Sequence, residues 1–158
     1  MTLKNVPVST LVSSPRDLRI LLMLQAMAED VEPVANARLA ACVALRGKIV
    51  SWGQNSVRTH PFQREWGKNE HATSWHAETH AIHNSLRRIS AGDLARTTLY
   101  VVRVKRPHET SREWMLGMSR PCPGCWRCIQ EFDIGRICYS TEEQQFVWEQ
   151  VAMDVQNS

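Results

Sequence analysis

No stretch of the 158 residues approaches the roughly 18 consecutive apolar positions that a membrane-crossing helix needs. The opening Met1-Thr-Leu-Lys-Asn5 runs straight into polar sequence, without the apolar core and small-residue cleavage site of a secretory leader. A cytoplasmic protein with no membrane partner is expected. Internal repeats, low-complexity tracts and linker-like composition breaks are also missing, so residues 1–158 are expected to form one domain. Nor is there a large charge of one sign. Lys and Arg number 19 against 16 Asp and Glu, a net +3. That falls short of a dedicated nucleic-acid binder and suits an anionic small molecule such as a nucleotide. The positive charge is largely Arg, including Arg58, Arg87, Arg88, Arg96, Arg103, Arg106, Arg112 and Arg120, which read as solvated surface.

What is present begins with cysteine. The five are Cys42, Cys122, Cys125, Cys128 and Cys138, an odd number with three of them inside seven residues. In a cytosolic chain this points to metal or redox chemistry before structural disulfides. Apolar residues make up 43% of the chain, ordinary globular usage, so a packed core is expected.

The periodicity then sets out the elements. Ser14 can cap and Pro15 can open a helix whose stripe starts with Leu18, Leu21 and Leu22 and ends near Glu29-Asp30. Arg38–Leu45 and Lys48–Gly53 predict two strands joined at Arg46-Gly47. Residues 53–70 read as a long loop, a second helix runs from His76 to about Ile89, and Thr97–Val104 is the clearest strand. A loop over 106–120, a short helix over 122–131 and a strand over 136–140 follow. The tail from Glu142 to about Asp154 is read as helical, with Phe146–Trp148 as a possible short strand. Strands alternating with helices imply a three-layer α/β/α domain with a mixed, partly parallel sheet.

The decisive residues are Trp75-His76-Ala77-Glu78 and, 46 positions after His76, Cys122 in Pro121-Cys122-Pro123-Gly124-Cys125. One imidazole and two thiolates make the three-ligand set of a catalytic zinc ion that keeps a fourth position open. Two cysteines with two residues between them at a helix start can converge on one ion, and a helix N-terminus favours the thiolate. Glu78, two residues after the His, can stand beside the metal and move protons without ligating it.

H-x-E followed by P-C-x-x-C is the pattern of zinc deaminases, and this chain resembles the cytidine and deoxycytidylate deaminase superfamily over about residues 14–141. Beyond the two motifs, Gly47–Asn55 looks like the family's second strand and the loop with a sugar-contacting Asn. His60-Pro61, Ser119–Cys125 and Ile137–Ser140 are also similar to family segments. The about sixteen residues between the third strand and the zinc helix are more than deoxycytidylate deaminases usually have. The resemblance implies a sandwich of the cytidine deaminase type, a bound Zn2+, and a homo-oligomer. It implies hydrolytic deamination of a cytosine nucleotide or nucleoside, deoxycytidylate first, with Glu78 as acid and base. Substrate contacts are expected from Asn55, Ala77, His60, Trp75 and Pro121.

Other readings of the same residues remain. A base within single-stranded DNA or RNA is an alternative substrate, through the Trp-bearing loops at 55–74 and 106–120. The C-x2-C-x2-C run with Cys138 does not keep ferredoxin spacing, and Cys122–Cys125 falls too late in the chain for a thioredoxin-like pair. His76 and His80 lack the H-E-x-x-H order of a metalloprotease. A structural zinc module would close with a fourth ligand such as Cys128 and would not need Glu78. Cys128 is read as core and His80 as a packed residue. Trp75 either stacks on a base or fills the core, and His60 either lines the pocket or occupies a loop.

Overall fold

The computed structural model describes residues 9–67 and 74–151. In chain order the elements are β1 (Thr10–Leu11), α1 (Pro15–Glu29), β2 (Arg38–Leu45), β3 (Lys48–Gln54), α2 (Pro61–Arg64) and α3 (Ala77–Ser85). They continue as α4 (Ala91–Leu94), β4 (Thr97–Lys105), β5 (Met115–Gly117), α5 (Pro123–Glu131), β6 (Arg136–Ser140) and β7 (Phe146–Gln150). The strands form one mixed sheet in the order β1-β7-β6-β4-β2-β3, with β5 also paired to β4. The β4–β6 pair is parallel, and the other pairs are antiparallel.

Local chemistry explains most of these elements. Ser14 Oγ accepts the Asp17 N–H at 3.3 Å and Pro15 opens the first turn of α1. Arg46 (φ 53°) and Gly47 (φ 78°) both take the left-handed conformation that a two-residue hairpin turn requires between β2 and β3. Alternation along the central strands makes the layers. Tyr100, Val102 and Val104 of β4 and Ala40, Cys42 and Ala44 of β2 pack with Ile20, Leu21, Leu24 and Ala28 of α1. Leu99 and Val101 of β4 and Ala41 and Val43 of β2 face the other way, onto Ala77, Ala81 and Ile82 of α3 and Cys128 and Ile129 of α5. The expected α/β/α sandwich with a mixed sheet is the observed one.

Three expectations need correction. The tail is strand, not helix, over Phe146–Gln150: it pairs with β6, with Val147 and Glu149 buried on alternate positions. Residues 152–154, the end of the expected helix, lie outside the described residues. Thr10 and Leu11 pair with Trp148 and Val147 on the outer edge of β7. The second helix stops at Ser85, whose hydroxyl donates back to Ile82 O at 2.6 Å, and α4 follows. The two long loops carry α2, where Pro61 opens the turn and His60 Nδ1 accepts the Phe62 N–H, and β5 on the flank of β4.

One buried ionic cluster ties helix to sheet. Asp17 is 3% exposed and receives two hydrogen bonds from the Arg136 guanidinium, at 3.0 and 2.9 Å, and one from the Tyr100 hydroxyl. Burial pushes the Asp17 carboxyl up, but the bonds from Arg136 and Tyr100 and the Arg136 charge outweigh it and leave it below 3.8. A depressed carboxyl adds stability that is complete above the unfolded value and is lost as pH falls through the folded one. Asp17→Asn should therefore cost about 2–3 kcal/mol at pH 7 in urea unfolding. The gap to the unsubstituted protein should narrow as the pH is taken below 3.8; an unchanging gap would rule the cluster out as its source.

Candidate metal centre

The ends of α3 and α5 build the site. His76 is the N-cap of α3 and Cys122 the N-cap of α5, both in extended conformation, with Pro123 opening the α5 turn. Cys125 lies one turn into α5 and is fully buried. His76 Nδ1 is 3.2 Å from Cys125 Sγ and 3.7 Å from Cys122 Sγ. The ligand atoms of these three residues lie within 4.8 Å of one another. Among the described residues no further His, Cys, Asp or Glu joins them. A nitrogen and two sulfurs this close suit a thiophilic cation such as zinc.

The protonation of the trio fits that use. A bond from Cys125 and the neighbouring His76 hold the Cys122 thiol down to about 3, so it is a thiolate, while that shared bond and burial raise Cys125. His76 is raised chiefly by its contact with Cys122. The α5 N-terminus adds its own preference for anionic sulfur.

Glu78, in the first turn of α3, is 4% exposed. Burial pushes its carboxyl up, against the opposing pull of the His76 charge. Its Oε1 is buried without a hydrogen-bond partner. A cavity of about 280 Å3 opens here, and Glu78, His76 and Cys122 line it together with Asn55, Trp75, Ala77, Arg103 and Arg120.

The expected substrate contacts divide. Asn55, Trp75 and Ala77 reach this cavity; His60 and Pro121 are not among its lining residues. Asn55 is already engaged, since its Oδ1 accepts the Leu39 N–H and its Nδ2 donates to Ala37 O, both at 2.8 Å. One Nδ2 hydrogen remains for a ligand. Trp75 is 8% exposed and stacked between His60, at 4.4 Å, and His80, at 4.9 Å, so it is a buried wall with one edge on the cavity. His80 packs there and its Nδ1 accepts the Gln54 N–H. Cys128 is buried in the core beneath α3. His71 and its neighbours in 68–73 lie outside the described residues.

Three side chains at the site escaped the sequence reading. Gln63 of α2, 1% exposed, turns its Oε1 to the His76 N–H at 3.1 Å and to the Thr79 hydroxyl. It replaces the cap that the α3 N-terminus lacks. Arg120 donates two bonds to buried Glu149, at 2.9 and 3.3 Å, and its guanidinium lies 4.6 Å from the Trp126 ring centre. This fastens the segment leading into Cys122 to β7. Arg103 reaches the same cavity from β4. No local pattern marks any of the three: each needs a partner from a distant segment.

A sandwich with a His/Cys/Cys cluster beside a buried carboxylate defines a metal-binding α/β/α class of site. The family model for the cytidine and deoxycytidylate deaminase zinc-binding region matches residues 15–141, and the chain belongs to that family. Among solved structures, dCMP deaminase from the cyanophage S-TIM5 in apo form is similar, with TM-score 0.50 and 19% identity, over 82% of this chain and 86% of that one. The same enzyme in complex with dCMP and dUMP gives 0.51 and 16%, over 82% and 85%. At these identities the likeness is one of fold. No curated protein matches the chain.

Gln63→Ala should weaken metal retention in a chelator competition and cost about 1–2 kcal/mol in stability, because the His76 N–H and the Thr79 hydroxyl lose their acceptor. Gln63→Glu, which keeps an acceptor oxygen, should recover most of the metal retention. Equal metal loss in both variants would show that the acceptor does not matter.

Proposed function

We propose that this protein is a zinc-dependent hydrolytic deaminase of a cytosine nucleotide or nucleoside, with deoxycytidylate as first choice, releasing ammonia and the uracil product. The observation that carries the reading is the buried Glu78 carboxyl, with one oxygen unpartnered, on the cavity that His76 and Cys122 of the His/Cys/Cys cluster also line. A buried polar atom without a partner costs free energy, and a reacting ligand would supply what it lacks.

His76 Nδ1, Cys122 Sγ and Cys125 Sγ would hold the zinc. When bound, zinc would supply a water whose pKa is lowered toward ~7. Glu78 would take a proton at its free Oε1, deliver it to N3 of the cytosine-type ring, and carry a second to the departing amine. Asn55 would offer its remaining N–H to the sugar, and Ala77 and the edge of Trp75 would shape the base pocket. The protein is read as cytoplasmic, a compartment that keeps the free cysteines reduced.

A base in single-stranded nucleic acid is the second reading. Arg38 and Arg106 lie 5.0 and 4.7 Å from the Trp114 ring centre, a cationic aromatic patch that includes the residue next to cavity-lining Leu39. A steep fall of oligonucleotide affinity with salt would favour it. A closed structural zinc site is less well supported, because no fourth ligand stands with the trio among the described residues.

Glu78→Ala should keep about one metal per chain yet lose ammonia release by at least about a hundredfold. Cys122→Ser and Cys125→Ser should lose metal and stability together. A mass-spectrometric screen of nucleosides, nucleotides and oligonucleotides for the one-dalton gain reads the activity. Full turnover by the Glu78 variant would sink the assignment.

A further inference from the structure

Two arginines line the cavity, and they differ in what holds them. Arg120 is engaged by buried Glu149 and by the face of Trp126. Arg103 has no such partner among the described residues: it forms no ion pair, and its Nε is buried without a hydrogen bond. Glu142, whose carboxylate feels the Arg103 charge, is itself taken by Lys105.

The position of Arg103 is fixed. It belongs to the central strand β4 on the same side as Leu99 and Val101, the side that carries α3 and the metal cluster. Its backbone N–H donates to Ser140 Oγ at 3.1 Å. Its stem crosses Gly117, its cross-strand neighbour in β5: a Cβ on Gly117 would come within 3.0 Å of Arg103 Cδ and 3.1 Å of Cγ. The bare glycine leaves room for the stem to lie against β5 there.

A guanidinium presents a planar fork of donors that fits a phosphate, and an anion would give the buried Nε its acceptor. We propose that Arg103 anchors the phosphate of a free cytosine mononucleotide, so that the cavity selects the nucleotide over the nucleoside. The proposal rests on the deaminase reading and makes Arg103 its specificity-determining residue. A cavity of about 280 Å3 matches one nucleotide rather than a run of them, at the small end of ligand pockets. A terminal monophosphate also brings more negative charge to one guanidinium than a backbone diester does.

The test is calorimetric titration of the zinc-loaded protein with dUMP and with deoxyuridine, products that are not turned over. The unsubstituted protein should bind dUMP about ten- to a hundredfold more tightly. Arg103→Met keeps the stem over Gly117 and removes the charge. It should erase that preference while leaving deoxyuridine affinity, metal content and circular dichroism unchanged. Arg103→Lys should keep part of it. Equal binding of the two ligands by the unsubstituted protein overturns the proposal, as do a preference that survives in Arg103→Met, a loss equal for both ligands, and no binding of either. Arg103-dependent binding of a short deoxyuridine oligonucleotide tighter than that of dUMP overturns the commitment to a free nucleotide. Phosphate-selective binding without ammonia release from dCMP would instead defeat the deaminase reading and leave the anchor standing.

Discussion

Backbone contact between α3 and β3 decides where the reactive groups arrive. A Cβ on Gly53 would lie 2.4 Å from both Ala77 O and Ala81 N, so the helix settles onto the strand only because that residue is glycine. The Ser51 hydroxyl, two residues earlier, donates to Ala81 O at 2.7 Å and holds the same contact. Gly124 does the equivalent for α5, where a Cβ would fall 1.8 Å from Trp66 O. With α3 set against β3 and α5 against Trp66, the two helices can open onto one point. Their N-terminal caps, His76 and Cys122, then stand within reach of each other and of Cys125. Unpaired N–H groups at a helix start favour anionic sulfur there, so the packing that positions the ligands also suits their charge.

The rest of the molecule treats buried charge consistently. Asp17 and Glu149 are 3% and 4% exposed, and each is met by an arginine and a tyrosine: Arg136 with Tyr100, and Arg120 with Tyr139. Those clusters join α1 to the sheet and the Cys122 segment to β7. The cavity departs from the rule twice. Glu78 keeps an unpartnered oxygen, and Arg103 keeps an unpartnered Nε. Both residues line one hollow, and each is left with a polar atom that no protein group satisfies.

Much of this was legible from local sequence. The α1 cap at Ser14, the Arg46-Gly47 turn and the alternation of β4 depend on neighbours in the chain, and all were placed within a residue or two. The metal trio was legible because both halves are short motifs at helix starts. What failed was decided by distant partners. Phe146–Gln150 suits either helix or strand until β6 lies beside it. Gln63 looked like one more polar loop residue, since its part follows only from the place where His76 arrives. Arg103 and Arg120 were read with the solvated arginines, because composition cannot tell a guanidinium in water from one facing a cavity.

The state of Glu78 separates a catalytic reading from a structural one more sharply than the ligands do. His, Cys and Cys at these distances would suit either kind of metal site, closed or open. A closed site gains nothing from a carboxyl buried next to it. Burial disfavours the charged form, and an unsatisfied oxygen costs on the order of 1–3 kcal/mol on its own. Core packing at that position would be served better by an apolar side chain of similar volume. The fold bears this cost in the first turn of α3, although it satisfies Asp17 and Glu149 in full. A carboxyl oxygen kept unpaired against the stability of its surroundings suits proton transfer: burial raises the carboxyl's affinity for a proton, and its Oε1 has no protein partner.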